Sequence, residues 1–197
     1  MEQLAFIILI LLLLGLPASI LGRTYFKGRL LIYRNLVTIV ALAFYGYWLV
    51  KQSLLQPTGE GLAIQIVNKH PQTLDFYSIE VGEDERQQAV YHVEHWGNIR
   101  PEHYRVAYLP MKQSDEFWLV GFSGKTLAYY TQHMVLNKNE DRYIEANHYL
   151  NQSTKLSTIA KRQIDLHKQE NNRHAVVVIF SFLIILINMI LFFRHKK

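Results

Sequence analysis

The sequence contains no cysteine, so disulfide-stapled folds and thiol nucleophiles are excluded. An exported domain without disulfides is more typical of the bacterial periplasm than of a eukaryotic cell surface. Glycine-rich phosphate loops and the G-x-S-x-G setting of a serine hydrolase are also missing. Paired acids such as Asp115–Glu116 and Glu140–Asp141 lie in predicted turns, where solvated charge is usual. We therefore predict that the protein is not an enzyme and needs no cofactor.

Acidic residues are almost absent outside the central region of the chain. Residues 52–172 carry a net charge of −3, whereas the remaining segments contain nine Lys and Arg and a single acid, Glu2. The overall charge of +5 therefore does not indicate nucleic-acid binding. The basic excess lies beside apolar runs, where it sets membrane topology and meets anionic lipid headgroups.

Three long apolar runs, 4–22, 35–50 and 174–193, predict three transmembrane helices. The first would reach about 28 Å as a helix, enough to cross the hydrocarbon core. It is not predicted to be a cleaved signal peptide, because the residues before it carry no positive charge. The second is short unless Leu30–Ile32 extend it, with Arg34 snorkelling toward the headgroups. The apolar cores of these runs lack ionisable residues, which argues against an ion or proton pathway.

Clusters of Lys and Arg predict the orientation of these spans. Short basic segments stay on the cytoplasmic side, which places the loop 23–34 and the tail 194–197 inside the cell. The N-terminus and residues 52–172 are then outside, in a bacterial inner membrane, although Lys51 and Arg173 argue weakly for the reverse. The predicted topology determinants are Arg23, Lys27, Arg29, Arg34, Arg194, Lys196 and Lys197.

The region 57–148 alternates between apolar and polar residues and predicts an extracytoplasmic all-β domain. The alternation slips between Phe76 and Tyr77, which indicates a β-bulge. Short strands at such spacing favour an immunoglobulin-like β-sandwich, here without a disulfide, and a small, partly open barrel is the alternative. The predicted strands are Leu62–Val67, Leu74–Val81, Ala89–Trp96, Tyr104–Leu109, Phe117–Phe122, Leu127–Val135 and Arg142–Ala146.

Residues 149–173 predict a juxtamembrane helical stem that could continue unbroken into the third span. Its expected apolar face consists of Leu156, Ile159, Gln163 and Leu166, which follow helical spacing. This face would pack on its own domain, or it would bind a partner.

Nine histidines raise the question of a metal site. On a strand, His92 and Glu94 share one face while His95 points to the other, so these three cannot converge on one ion. A site would need His103 or His133 from another strand. We expect no metal, with His92, Glu94 and His103 as the candidates should there be one.

Aromatic residues are frequent in the later strands, where Tyr and Trp could anchor an interface. These patterns predict a non-catalytic accessory or scaffold subunit of an envelope complex, which contacts other inner-membrane proteins, the bilayer and possible second copies of itself. The alternative is an anchored ligand- or metal-handling module. The interface candidates are Tyr104, Tyr108, Trp118, Tyr129 and Tyr130.

Overall fold

The computed structural model describes residues 2–21, 29–54, 61–84, 86–111, 114–147 and 153–194. These residues form three helices: α1 (Glu2–Leu21), α2 (Arg29–Leu54) and α3 (Thr154–Arg194). They also form seven strands: β1 (Leu62–Asn68), β2 (Leu74–Glu83), β3 (Ala89–Ile99), β4 (Tyr104–Leu109), β5 (Glu116–Ser123), β6 (Thr126–Met134) and β7 (Arg142–Ala146). The chain divides into a helical unit, Met1–Gln56 with Gln169–Lys197, and a β unit, Pro57–Lys168.

In the helical unit, α1 and α2 are antiparallel. Tyr45 near the end of α2 contacts the carbonyl of Ala5 near the start of α1, and Arg34 lies beside Gly15 at the other end. The Tyr45 hydroxyl also donates a 2.7 Å hydrogen bond to Ser181 of α3. The core of the unit consists of Ile8, Leu12, Val37, Ala41, Tyr45, Ile184 and Ile185.

One helix in the described part of the chain is long and apolar enough to cross a membrane, the segment Thr154–Leu191 of α3. The apolar segment of α1, Gln3–Pro17, is shorter. The prediction of a long apolar C-terminal helix is therefore confirmed, and the prediction of three spans stays a prediction.

Arg34 does not reach outward as the sequence suggested, since its side chain is only 2% exposed. Its Cγ and the Oδ1 of Asn188 both lie within 4 Å of the position that a Cβ of Gly15 would take. α2 begins at Arg29, so Arg34 lies beyond the first helical turn, where it packs beside Gly15 of α1. The determinants Arg23, Lys27, Lys196 and Lys197 lie outside the described residues, and only the backbone is described for Arg29 and Arg194.

The β unit contains two sheets, in the strand orders β4-β1-β7 and β3-β2-β5-β6. Neighbouring strands are antiparallel except for β1 and β7, which are parallel. The two sheets enclose one core, to which β1 contributes Leu62, Ile64 and Ile66 and the larger sheet contributes Phe76 and Phe117. The prediction of a sandwich-like pair of sheets is confirmed.

The register between β2 and β3 shifts between Phe76 and Tyr77, where the sequence indicated a bulge, but the extra residue lies in β3. Phe76 pairs with Gly97 and Tyr77 with His95, which leaves Trp96 without a direct partner, whereas β2 keeps an unbroken register with β5. As consecutive strand residues, Phe76 enters the sandwich core and Tyr77 enters a second apolar cluster. Both are buried, because the larger sheet is covered on both faces.

The N-terminal part of α3 covers the second face of the larger sheet. Ala160 and Ile164 are fully buried there against a cluster that includes Trp118, and the ammonium of Lys168 lies 4.8 Å from the ring centre of Tyr77. The expected apolar face was wrong at one position, because Leu166 is 45% exposed. The buried stripe passes through Ala160 and Ile164 instead, one helical step away.

Candidate functional site

The outer face of the smaller sheet is exposed and aromatic. Tyr104, Val106 and Tyr108 are alternate residues of β4. Gln65 of the central strand β1 pairs with Val106 of β4 on one side and with Tyr143 of β7 on the other. Directly paired residues share a face of a sheet. The four side chains Tyr104, Val106, Tyr108 and Tyr143, here called the tyrosine face, are between 44% and 66% exposed.

The inward residues of β4 explain why its tyrosines face outward. Leu109 belongs to the sandwich core, and the guanidinium of Arg105 reaches across to Gly97 of the other sheet, 2.9 Å from where a Cβ would be. Gly97 has a φ of 81°, a conformation that favours glycine. At the other edge of the sheet, the Tyr143 hydroxyl donates a 2.9 Å hydrogen bond to Glu145, which raises the pKa of Tyr143.

Three of the interface candidates are buried and cannot contribute to an exposed surface. Trp118 and Tyr130 lie in the cluster beneath α3, and Tyr129 lies in the sandwich core. β5 is an inner strand and β6 its neighbour in a sheet covered on both faces, so their aromatic residues pack in both layers. Tyr104 and Tyr108 are the exposed members of the predicted set.

The three metal candidates are not brought together. In the described part of the chain, no three His, Cys, Asp or Glu side chains converge as a metal site would need. His92 lies in the middle of β3, seven positions before its end at Ile99, a distance of about 23 Å along a strand. His103 follows that end and hydrogen-bonds to the carbonyl of Pro101. Glu94 shares a face with His92 but lies opposite Ser78.

His95 belongs to a different group on the other face of the larger sheet. Its Nε2 lies 2.6 Å from a carboxylate oxygen of Asp75, and its ring stacks on Tyr77, whose hydroxyl also donates to Asp75. Burial and the hydrogen bond to Asp75 raise the pKa of Tyr77. Among the described residues, no Ser or Thr hydroxyl hydrogen-bonds to His95, so the pair lacks the nucleophile of a hydrolase triad.

A cleft of about 450 Å³ opens at the far end of β2 from the bulge. Its acid Glu80 is only 9% exposed and lies directly opposite His92. The Oε1 of Glu80 is buried and has no hydrogen-bond partner. Burial raises the pKa of Glu80. The cleft is lined by Glu80, Gly82, Glu83, Asp84, Val90, His92, Pro110 and Ser114.

Sequence reasoning placed His92 correctly on its strand face but missed Glu80. If one side of β2 faced solvent, the alternation of the strand would place Glu80 on that polar side. Both faces are covered, and a charged residue inside such a strand is the signal that could have drawn attention to Glu80.

No protein family matches the sequence, and no curated protein is similar to it. Among solved structures, a chain titled "Trapped Toxin" aligns with 43% of this chain at 12% identity and a TM-score of 0.21. The aligned part spans 21% of that chain's own length. A similarity at this level does not establish a shared fold.

Proposed function

We propose that the protein is a non-catalytic accessory or scaffold subunit of an envelope complex, anchored in the bacterial inner membrane. Its β-sandwich lies in the periplasm and binds a partner membrane protein through the tyrosine face. The observation that carries this proposal is the exposure of Tyr104, Val106, Tyr108 and Tyr143 on one face of one sheet.

The composition of the tyrosine face supports protein recognition. Tyrosine provides a large contact area with a polar tip at low conformational cost, and it is enriched at interfaces. Contiguous exposed apolar surface on a soluble domain usually marks a binding site. Within the β unit, no other described strand or helix covers this side of the smaller sheet, whereas the N-terminal part of α3 covers the corresponding side of the larger one.

The surface of the helical unit supports membrane anchoring. Large aliphatic and aromatic side chains point outward from all three helices, and in water such a surface would be unstable. In a bilayer it would face lipid, with the α1–α2 hairpin and α3 all crossing. Examples are Leu4, Phe6, Ile10, Leu14, Ile32, Leu36, Ile39, Leu49, Val176, Ile179, Phe180, Leu183, Leu186 and Ile190.

The strand order supports an immunoglobulin-like sandwich. In that architecture, strands G, F, C and C′ are neighbours in one sheet, and B lies between A and E in the other. The sheets β6-β5-β2-β3 and β7-β1-β4 match these orders when β1 is taken as B. The last strand, β7, then occupies the position of A and pairs in parallel with β1.

Site-specific photo-crosslinking tests the proposed interface. A photo-reactive residue in place of Tyr108 is expected to crosslink the full-length protein in cells to one partner, and the same residue in place of Lys125, in the exposed β5–β6 turn, is not. Replacing Tyr104 and Tyr108 together by Thr, which keeps β propensity, is expected to reduce partner recovery at least about tenfold. A dimer of this chain as the product would identify a second copy as the partner. Identical products from both positions, or unchanged recovery, would contradict the proposal.

The absence of native cysteine allows a clean test of topology. The variant Lys125→Cys is expected to react with a membrane-impermeant maleimide in intact spheroplasts, and Lys197→Cys only after lysis. The reverse pattern would place the β unit in the cytoplasm and refute the proposed orientation.

A further inference from the structure

A cavity of about 370 Å³ opens in the helical unit, between the first turns of α1 and the part of α3 that precedes the buried Ser181. Its size is at the lower end of the range found for small-molecule sites. The residues that line it are Gln3, Ala5, Phe6, Arg173, His174, Val177 and Val178.

The two helices that form this cavity run in the same direction. Ala5 of α1 and Ser181 of α3 both contact the hydroxyl of Tyr45. Further along α1, Gly15 lies beside Asn188 of α3. A change in polarity along α1 therefore has the same direction as a change along α3.

The cavity is polar at one end and apolar at the other. On α3, the two valines follow Arg173 and His174 by one helical turn, which is about 6 Å along the axis. On α1, Phe6 follows Gln3 in the same way, since residues three or four positions apart share a face of a helix. Phe6 is 55% exposed, so the apolar end is open at the side of the unit.

The lining charges favour an anion at the polar end. Arg173 is exposed and carries a fixed positive charge, and no acid is among the described residues that line the cavity. A guanidinium matches the geometry of phosphate oxygens and can bind two of them at once. His174 and Gln3 add side chains that can donate hydrogen bonds. A phosphate that carries an apolar chain therefore suits both ends of the cavity.

The position of Arg173 also departs from the charge pattern of the chain. In the proposed orientation it lies at the outer end of the third span, whereas cations beside a span are normally retained on the cytoplasmic side. An anionic headgroup bound at this end gives the guanidinium a counter-ion on the side of the membrane where a cation is disfavoured.

We propose that this cavity binds one phospholipid of net negative charge. The phosphate lies against Arg173, and the start of one acyl chain lies along Phe6 and Val177 before it continues into the surrounding bilayer. The site requires the membrane anchoring of the proposed function, and it is independent of the tyrosine face.

The test uses the full-length protein in nonionic detergent, titrated with dioleoyl phosphatidylglycerol or dioleoyl phosphatidylcholine and measured by native mass spectrometry. We expect one phosphatidylglycerol to bind about tenfold more tightly than phosphatidylcholine, which has the same chains but no net charge. Arg173→Gln should weaken phosphatidylglycerol binding by about tenfold and remove the preference, as expected for the loss of a hydrogen bond to a charged group. The matched variant Arg162→Gln removes an exposed cation from the same helix and should change the affinity by less than about twofold.

Two further probes examine the two ends of the cavity separately. Val177→Trp fills the apolar end and should weaken the binding of both lipids, with the melting temperature measured to show that the variant is folded. Arg173→Gln changes an exposed position and tests the polar end whatever the effect of Val177→Trp on folding. Glycerol 3-phosphate carries the phosphate without acyl chains and should not stabilise the protein against heat.

Equal binding of the two lipids, or equal binding of phosphatidylglycerol to wild type and Arg173→Gln, would overturn the proposal. Stabilisation by glycerol 3-phosphate equal to that by phosphatidylglycerol would also overturn it and assign the cavity to a free phosphate. A dimer that only Val177→Trp dissociates would do the same and assign the cavity to a second copy of the chain.

Carbonate extraction of membranes distinguishes a failure of this site from a failure of the anchoring. A protein that stays in the membrane but shows no lipid preference lacks the site and keeps its anchor. A protein that carbonate releases lacks the anchor, and the proposed function then fails with the site.

Discussion

Replacing Ile164 by Ala tests whether α3 packs on the larger sheet. Ile164 is fully buried in the cluster between α3 and that sheet, whereas Leu166 on the same helix is 45% exposed. Ile164→Ala removes three buried carbon groups worth about 0.8 kcal/mol each. The cavity left behind raises the loss in unfolding free energy to about 3–4 kcal/mol, and the better helix propensity of Ala offsets only about 0.4 kcal/mol of it. Leu166→Ala is the matched control and should cost less than about 0.5 kcal/mol.

Thermal unfolding of the full-length protein in detergent measures this difference, with intrinsic fluorescence as the signal. Trp118 is buried in the same cluster as Ile164, so its emission reports the loss of this contact. We expect the melting temperature of Ile164→Ala to fall by roughly 10–15 °C and that of Leu166→Ala to stay close to wild type. Equal losses in the two variants, or a loss from Leu166→Ala alone, would show that the helix packs through the face expected from the sequence.

Two further predictions concern the sheets of the β unit. Burial and a nearby arginine lower the pKa of His133, which stacks on Phe117, so the stability of the fold should decline as the pH falls below the ordinary value of 6.5. His133→Phe should flatten this dependence in urea titrations at a series of pH values, and an unchanged slope would contradict the assignment. Gly97→Ala and Gly124→Ala both place a side chain at positive φ and should each cost about 1–2 kcal/mol. Of the two, only Gly97 has a neighbour within 4 Å of the added carbon, the end of the flexible Arg105 side chain, which can move away. A much larger loss of unfolding free energy for Gly97→Ala than for Gly124→Ala in denaturant melts would show that Arg105 is held rigidly.

Much of the β unit could be predicted because strands with alternating patterns carry their own signal. The observed strands lie where the apolar alternation and its turn residues indicated. A bulge lies at the expected point beside Phe76 and Tyr77, although its extra residue belongs to the neighbouring strand β3. The turn at Gly124 is a tight hairpin between β5 and β6, with Ser123 opposite Thr126. These features depend on neighbouring residues, which a sequence displays directly.

Features that depend on a third layer could not be predicted in the same way. The apolar spacing of α3 indicated Leu166 as a core residue and gave no reason to prefer Ala160. A small residue such as Ala160 is buried only because the helix lies close to the sheet at that point, and the sequence of the helix does not show this. The pattern of β5 and β6 likewise could not say whether Trp118 and Tyr130 would be exposed. Arg34 was expected to reach toward the headgroups because a sequence does not show that its side chain is buried beside Gly15 of another helix.

The layer arrangement also explains why the tyrosine face is the surface on which recognition is expected. The larger sheet lies between the smaller sheet and the N-terminal part of α3, so its aromatic residues are buried in the two clusters on either side of it. The outward side of α3 in this unit is charged, with exposed residues such as Lys161, Arg162 and Asp165, as is usual for a helix face in contact with water. The outward side of the smaller sheet is aromatic instead. Threonine or lysine on an exposed strand face would leave less apolar surface in contact with water. Since the packing of the fold does not require Tyr104, Tyr108 and Tyr143 there, this is the surface to which we assign the proposed partner contact.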